Sequence, residues 1–104
     1  MSVLMEFSIF PTDQGESVGA QVSEVIRMVR ETGLEYRLTP MGTIVEADSV
    51  AEALALVERA AAVLDGLGCR RVYSAIKLDS RTGQGGRMAG KIQSVEKRIG
   101  TVER

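Results

Sequence analysis

Histidine and tryptophan are missing from this chain, and cysteine occurs once, at Cys69. Without histidine the commonest metal ligand and general base is gone, and a single thiol cannot close an intrachain disulfide. Zinc sites and His-based triads are excluded. Aromatic residues are scarce as well, with two Phe and two Tyr in 104 residues. Nucleic-acid surfaces usually couple a basic face to stacking rings, so no nucleic-acid partner is expected. No apolar run approaches the ~20 residues that span a bilayer. The N-terminus also lacks a basic stretch followed by an apolar run and a small-residue cleavage site. These absences lead to the expectation of a soluble, cytoplasmic protein without a membrane partner. The length allows one domain over residues 1–104 and no second independent core.

Net charge is −1 but unevenly spread: residues 1–79 hold seven Lys and Arg against twelve Asp and Glu, and residues 80–104 hold six against two. The tail is therefore locally basic. Along the chain, "VLMEFSIF" sets Val3, Met5, Phe7 and Ile9 on one face and Leu4, Glu6, Ser8 and Phe10 on the other, the period of a strand. "SVGAQVSEVIRMVRETG" spaces Val18, Val22, Val25, Ile26 and Val29 as a helix, with Ser17 near its start and Gly33 as its stop. "YRLTPMGTIVEAD" reads as two strands, about 35–39 and 43–47, joined through Pro40, Met41 and Gly42. A second helix begins with Ser49 and Glu52 at capping-box spacing and carries Val50, Leu54, Val57, Ala61 and Leu64 on one stripe. "CRRVYSAIKLD" alternates as a fourth strand, with Val72, Ser74, Ile76 and Leu78 on the apolar face. Cys69 is most simply a small residue leading into it. A glycine-rich loop follows, and "KIQSVEKRI" spaces Ile92, Val95 and Ile99 as a short terminal helix.

The order β-α-β-β-α-β with a tail helix predicts an α+β, ferredoxin-like sandwich: a four-stranded antiparallel sheet in the order 4-1-3-2, with two helices on one face. The other face would expose Leu4, Phe10, Ile44 and Tyr73 among Glu6, Arg37, Thr39, Glu46, Arg71 and Lys77. That mixture is too apolar for comfortable solvation and too charged for a core, and it suits a face-to-face subunit contact. "GGRMAGK", Gly85 to Lys91, satisfies the spacing of a phosphate-binding loop, yet Ile92 stands where Ser or Thr would hold magnesium. Its backbone amides could bind an anion, but nucleotide hydrolysis is not expected. Glu46 lies in mid-strand and must either stay wet or find a partner. Asp79, at a strand end, either pairs with Arg81 or lines the mouth of a site. With no catalytic signature beyond Glu6 and Glu46, binding is preferred to catalysis.

The first strand ending in Pro11, "YRLTPMGTIVEAD", "GCRRVYSAIKLDSR" and "KIQSVEKRI", in that order and spacing, resemble the thiamine-binding proteins of the YkoF-like superfamily. The likeness runs over nearly the whole chain, and "PMGT" followed three residues later by Glu is its most specific piece. Many relatives carry a more charged, less glycine-rich link before the last helix. The resemblance implies a ferredoxin-like subunit that pairs through its open sheet face into homodimers or homotetramers. It also implies binding of thiamine or its hydroxymethylpyrimidine part near the subunit interface, without turnover. Thiamine is then a ligand, and no cofactor, metal or catalytic residue is expected. On strand geometry Glu46 would anchor the ligand, with Ser8 and Thr43 as hydroxyl partners and Tyr36 or Met41 covering a ring. Lys77 and Asp79 complete the candidate set. Two other readings stand beside this one: a structural or regulatory oligomer in which Glu46 pairs with Lys77 or Arg37, and a small anion or nucleic-acid binder using the basic tail.

Overall fold

Alternation in β1 (Ser2–Pro11) sends Val3, Met5, Phe7 and Ile9 into the core, where they meet helices α1 (Gly19–Glu31) and α2 (Val50–Gly66). The computed structural model describes residues 1–83 and 85–104. β2 (Glu35–Thr39) and β3 (Gly42–Ala47) form a hairpin, and β4 (Val72–Arg81) closes the opposite edge of the sheet. All pairings are antiparallel and the order is β2-β3-β1-β4, the ferredoxin-like arrangement. Val25, Met28 and Val29 of α1 and Ala53, Leu56, Ala60 and Leu64 of α2 pack on the same face as the β1 set. No helix among the described residues is long and apolar enough to cross a membrane.

Register fixes which side chains share the other face. One cross-strand row holds Glu35, Glu46, Leu4 and Asp79, and the next holds Arg37, Ile44, Glu6 and Lys77. Ser8 and Ala75, then Phe10 and Tyr73, continue it, and the last two rings lie 5.8 Å apart. This face is not fully open. α3 (Arg87–Ile99) sets its first turn on it, and Leu4 and Met88 are buried there, apart from the main core.

Several local expectations are corrected. α3 starts at Arg87, four residues before the apolar spacing signals it, because its first turn is fixed by tertiary contacts. α1 begins without a side-chain cap: Val18 occupies the N-cap and Ser17 does not cap it. Gly33, at φ 78°, ends that helix as expected. α2 keeps its capping box, with the Glu52 amide donating to Ser49 Oγ at 3.0 Å and the Asp48 amide to Glu52 Oε1 at 2.9 Å. Its buried stripe, however, is Ala53, Leu56, Ala60 and Leu64, and Leu54 is exposed. Alanines on the inner side let the helix approach closely; of the predicted stripe Leu64 is fully buried, Val50 and Val57 pack against the core half-buried, and Leu54 and Ala61 face outward. On β4, Val72 packs against the core, whereas Ile76 and Leu78, further along the helix side of this edge strand, remain 41% and 40% exposed.

Candidate functional site

Glu46 has a partner, and it is the chain itself. The Gly86 amide donates to its Oε2 at 2.6 Å, and the Arg87 and Met88 amides donate to Oε1 at 2.9 and 3.3 Å. Ser2 Oγ adds a long contact at 3.5 Å. A carboxylate at a helix start satisfies orphan N–H groups and complements the positive end of the helix dipole. The glycine-rich loop thus does bind an anion, an internal one. Close approach explains one glycine, since a β-carbon on Gly85 would lie 2.8 Å from Glu46 Oε2.

Arg87 completes the clasp. Its buried guanidinium donates to the Ser2 carbonyl at 3.1 Å and the Asp79 carbonyl at 2.9 Å, and it pairs with the Asp79 carboxylate. Lys91 Nζ reaches the same carboxylate at 2.9 Å. The hydrogen bond from Lys91, reinforced by the Arg87 charge, holds the Asp79 carboxyl below the ordinary carboxylate range. Of the two readings of Asp79, the pair with Arg81 is replaced by these two contacts.

A different place in the fold can take a ligand. A cavity of about 360 Å³ opens between α1, the second half of β1 and the β2–β3 turn. Phe7, Val22, Ile26 and Leu38 give it an apolar wall, and exposed Met41 stands at the turn. None of its described lining residues is charged. Thr43, 4% exposed, is the most buried hydroxyl-bearing residue of the cavity wall. Thr39 cannot substitute for it: its Oγ1 accepts from the Met41 and Gly42 amides at 3.3 and 3.1 Å and donates to the Gly42 carbonyl at 2.8 Å, which builds the turn.

The seven predicted site residues therefore fall into separate places. Ser8, Met41 and Thr43 line this cavity. Ser8 contributes to its wall from a position whose pleat turns to the outer face. Tyr36 lies on the Thr43 side of the sheet, but in the neighbouring row, against the core. Glu46 and Asp79 belong to the α3 clasp, and Lys77 pairs with Glu6 at 3.0 Å, largely in solvent. The expected cluster of Glu46 with Thr43 does not form, because residues three apart on a strand face opposite sides of the sheet. Its carboxylate is already engaged by three amides. Sequence reasoning missed Arg87 as a structural tie and α1 as a cavity wall. The α1 signal was present: Val18, Val22 and Ile26 extend the apolar stripe beyond its buried part.

Comparison with known proteins agrees with this architecture. Residues 5–96 match the family model described as "Thiamine-binding protein". A UPF0045 protein of Mycobacterium bovis is 41% identical over 99 residues, covering 93% of this chain and 94% of the relative. A hypothetical protein from Methanocaldococcus jannaschii has a solved structure that superposes with a TM-score of 0.79 at 29% identity, covering 92% of this chain and 97% of that one. A Thermotoga maritima protein, provisionally named a thiamine biosynthesis/salvage protein, shares the fold at a TM-score of 0.78 and 18% identity, over 91% and 99% of the two chains. With the fold, the strand order and most of its length in agreement, this chain belongs to the thiamine-binding protein family.

Proposed function

We propose that this protein is a non-catalytic binder of thiamine-type ligands, which takes the aminopyrimidine ring into the cavity between α1 and the β2–β3 hairpin. The observation that carries the reading is a mainly apolar cavity whose wall includes the nearly buried Thr43. The family match supplies the ligand class, and the name of the Thermotoga maritima neighbour supports it. An aminopyrimidine offers an exocyclic amine donor and ring-nitrogen acceptors, and a hydroxyl can serve either. Phe7, Leu38, Val22 and Ile26 suit the faces of a flat ring. The volume falls within the ~300–1,000 Å³ of small-molecule sites. Among the described residues no lining side chain is a Cys, His, Lys, Asp or Glu, which favours binding over turnover. Calorimetry with thiamine tests the reading. One neutral hydrogen bond contributes ~0.5–1.5 kcal/mol, so Thr43→Val is expected to weaken binding roughly three- to tenfold, and Thr43→Ser to retain most of it. Absence of thiamine binding by the wild type would refute the proposal.

Self-association is part of the same proposal. Tyr73 is 59% exposed on the outer face beside Phe10, and Ile44 is half-buried between charged neighbours. Phe10 of β1 belongs both to this patch and to the cavity wall. A homodimer or homotetramer formed through that face would brace the cavity wall from behind.

A further inference from the structure

A second cleft, of about 560 Å³, opens between the end of β4, the glycine-rich loop and the first two turns of α3. Arg81, Arg87 and Lys91 line it, and among its described lining residues there is no carboxylate and no large apolar side chain. It shares no lining residue with the cavity at Thr43. Charge around the cleft is unbalanced. Arg87 and Lys91 share one carboxylate, Asp79, and exposed Arg81 pairs with none among the described residues. Glu46, the other acid nearby, is engaged by the amides of Gly86, Arg87 and Met88 and offsets the positive end of α3. Arg87 also keeps an unmet donor. The residue is 7% exposed, and its buried Nε–H has no acceptor among the described residues, although both other guanidinium nitrogens are bonded. A buried donor left without a partner is rare and costly, so it calls for one. Ser94 lines the same cleft, and its Oγ accepts from Arg98 at 2.6 Å, which leaves the hydroxyl proton for another acceptor.

We infer that this cleft is a second ligand site, separate from the thiamine-type cavity, which takes a phosphate group between Arg81, Lys91 and the Ser94 hydroxyl, with Arg87 in its wall. Phosphate matches the surplus of cationic donors: it carries about −1.5 to −2 charges at neutral pH and offers three strong acceptor oxygens. Lys91 is 61% exposed, so its ammonium can turn from Asp79 to the ligand without disturbing the core. The volume lies within the ~300–1,000 Å³ of small-molecule sites, which leaves room beside the glycines for the rest of a phosphorylated molecule. Because Glu46 already occupies the amides at the start of α3, recognition falls to side chains, and the G-x-x-x-x-G-K spacing does not act as a nucleotide loop.

Inorganic phosphate and ribose 5-phosphate, titrated separately into the full chain at low salt, test the inference. Binding with a Kd below about 1 mM is expected, and a tighter sugar phosphate would point to an esterified ligand, equal affinities to the free ion. The bound anion should slow hydrogen exchange in the first two turns of α3. Arg81→Gln removes one charge-assisted contact from an exposed position and should weaken binding at least about tenfold. Arg27→Gln removes the same charge from the exposed side of α1 and should change affinity by less than about twofold. Equal losses in the two variants would reduce the effect to net charge and overturn the site. Affinity unchanged in Arg81→Gln, or exchange slowed in α1 instead of α3, overturns it as well. So does the absence of binding by both compounds at about 10 mM, an outcome that leaves the thiamine reading to its own titration.

Discussion

Glu46 is a carboxylate in mid-strand whose role depends on residues forty positions away. Three amides at the start of α3 satisfy it, and hydrogen bonds to a charged group contribute ~1.5–3 kcal/mol where they are sheltered. Glu46→Gln keeps the shape and one good acceptor, so the expected loss of stability is about 1–2 kcal/mol, read as a lower denaturant midpoint. Gly85→Ala should act similarly, because its new methyl group would displace the carboxylate from the amides. Thiamine affinity should stay within about twofold in Glu46→Gln, since the cavity lies on the other side of the sheet; a tenfold loss would make Glu46 a ligand anchor after all. The need for a partner at Glu46 was legible from its place in a strand. The identity of the partner was not, because the glycine-rich segment reads equally well as a phosphate loop until the sheet brings the two together.

At the scale of elements, α3 differs from its neighbours. α1 and α2 are held by broad apolar packing, whereas α3 is tied chiefly at its first turn by Glu46, Arg87, Lys91 and Asp79, and Val95 and Ile99 remain exposed. Asp79 gives this tie a pH dependence. Its carboxyl is held below its ordinary 3.8 by the Lys91 hydrogen bond and then the Arg87 charge. A depressed folded-state value means that the contribution is complete above the unfolded value and is lost as pH falls through the folded one. Hydrogen exchange at the amides of α3 should therefore accelerate, relative to the core strands, only below about pH 4, where carboxylates protonate. Asp79→Asn should raise exchange in α3 at neutral pH and flatten that acid response; an unchanged profile would remove Asp79 from the tie. Periodicity found all three helices, yet it placed the centre of the inner stripe of α2 slightly off: Val50, Val57 and Leu64 do meet the core, but the closest contact is made by Ala53, Leu56 and Ala60, where small side chains permit approach.

For the whole molecule, the consequential surface is the outer sheet face with edge strand β4. Tyr73, Ile76 and Leu78 are all substantially exposed, and α3 covers only the Leu4 end. Light scattering at micromolar concentration should report a dimer or tetramer, and Ile44→Lys should shift it toward monomer without unfolding, since Ile44 lies outside the core. A monomeric mass for the wild type would refute assembly through this face. The chain's own pattern of residues determined the order of elements, the apolar side of β1 and β3, the capping box of α2 and the family, because alternation, helical spacing and caps are local and survive in one dimension. Only the tertiary structure decided that Glu46 closes α3 while Thr43, three residues earlier, faces a cavity. Which groups meet across forty residues depends on strand register and on where a helix lands, and neither is written in any local stretch.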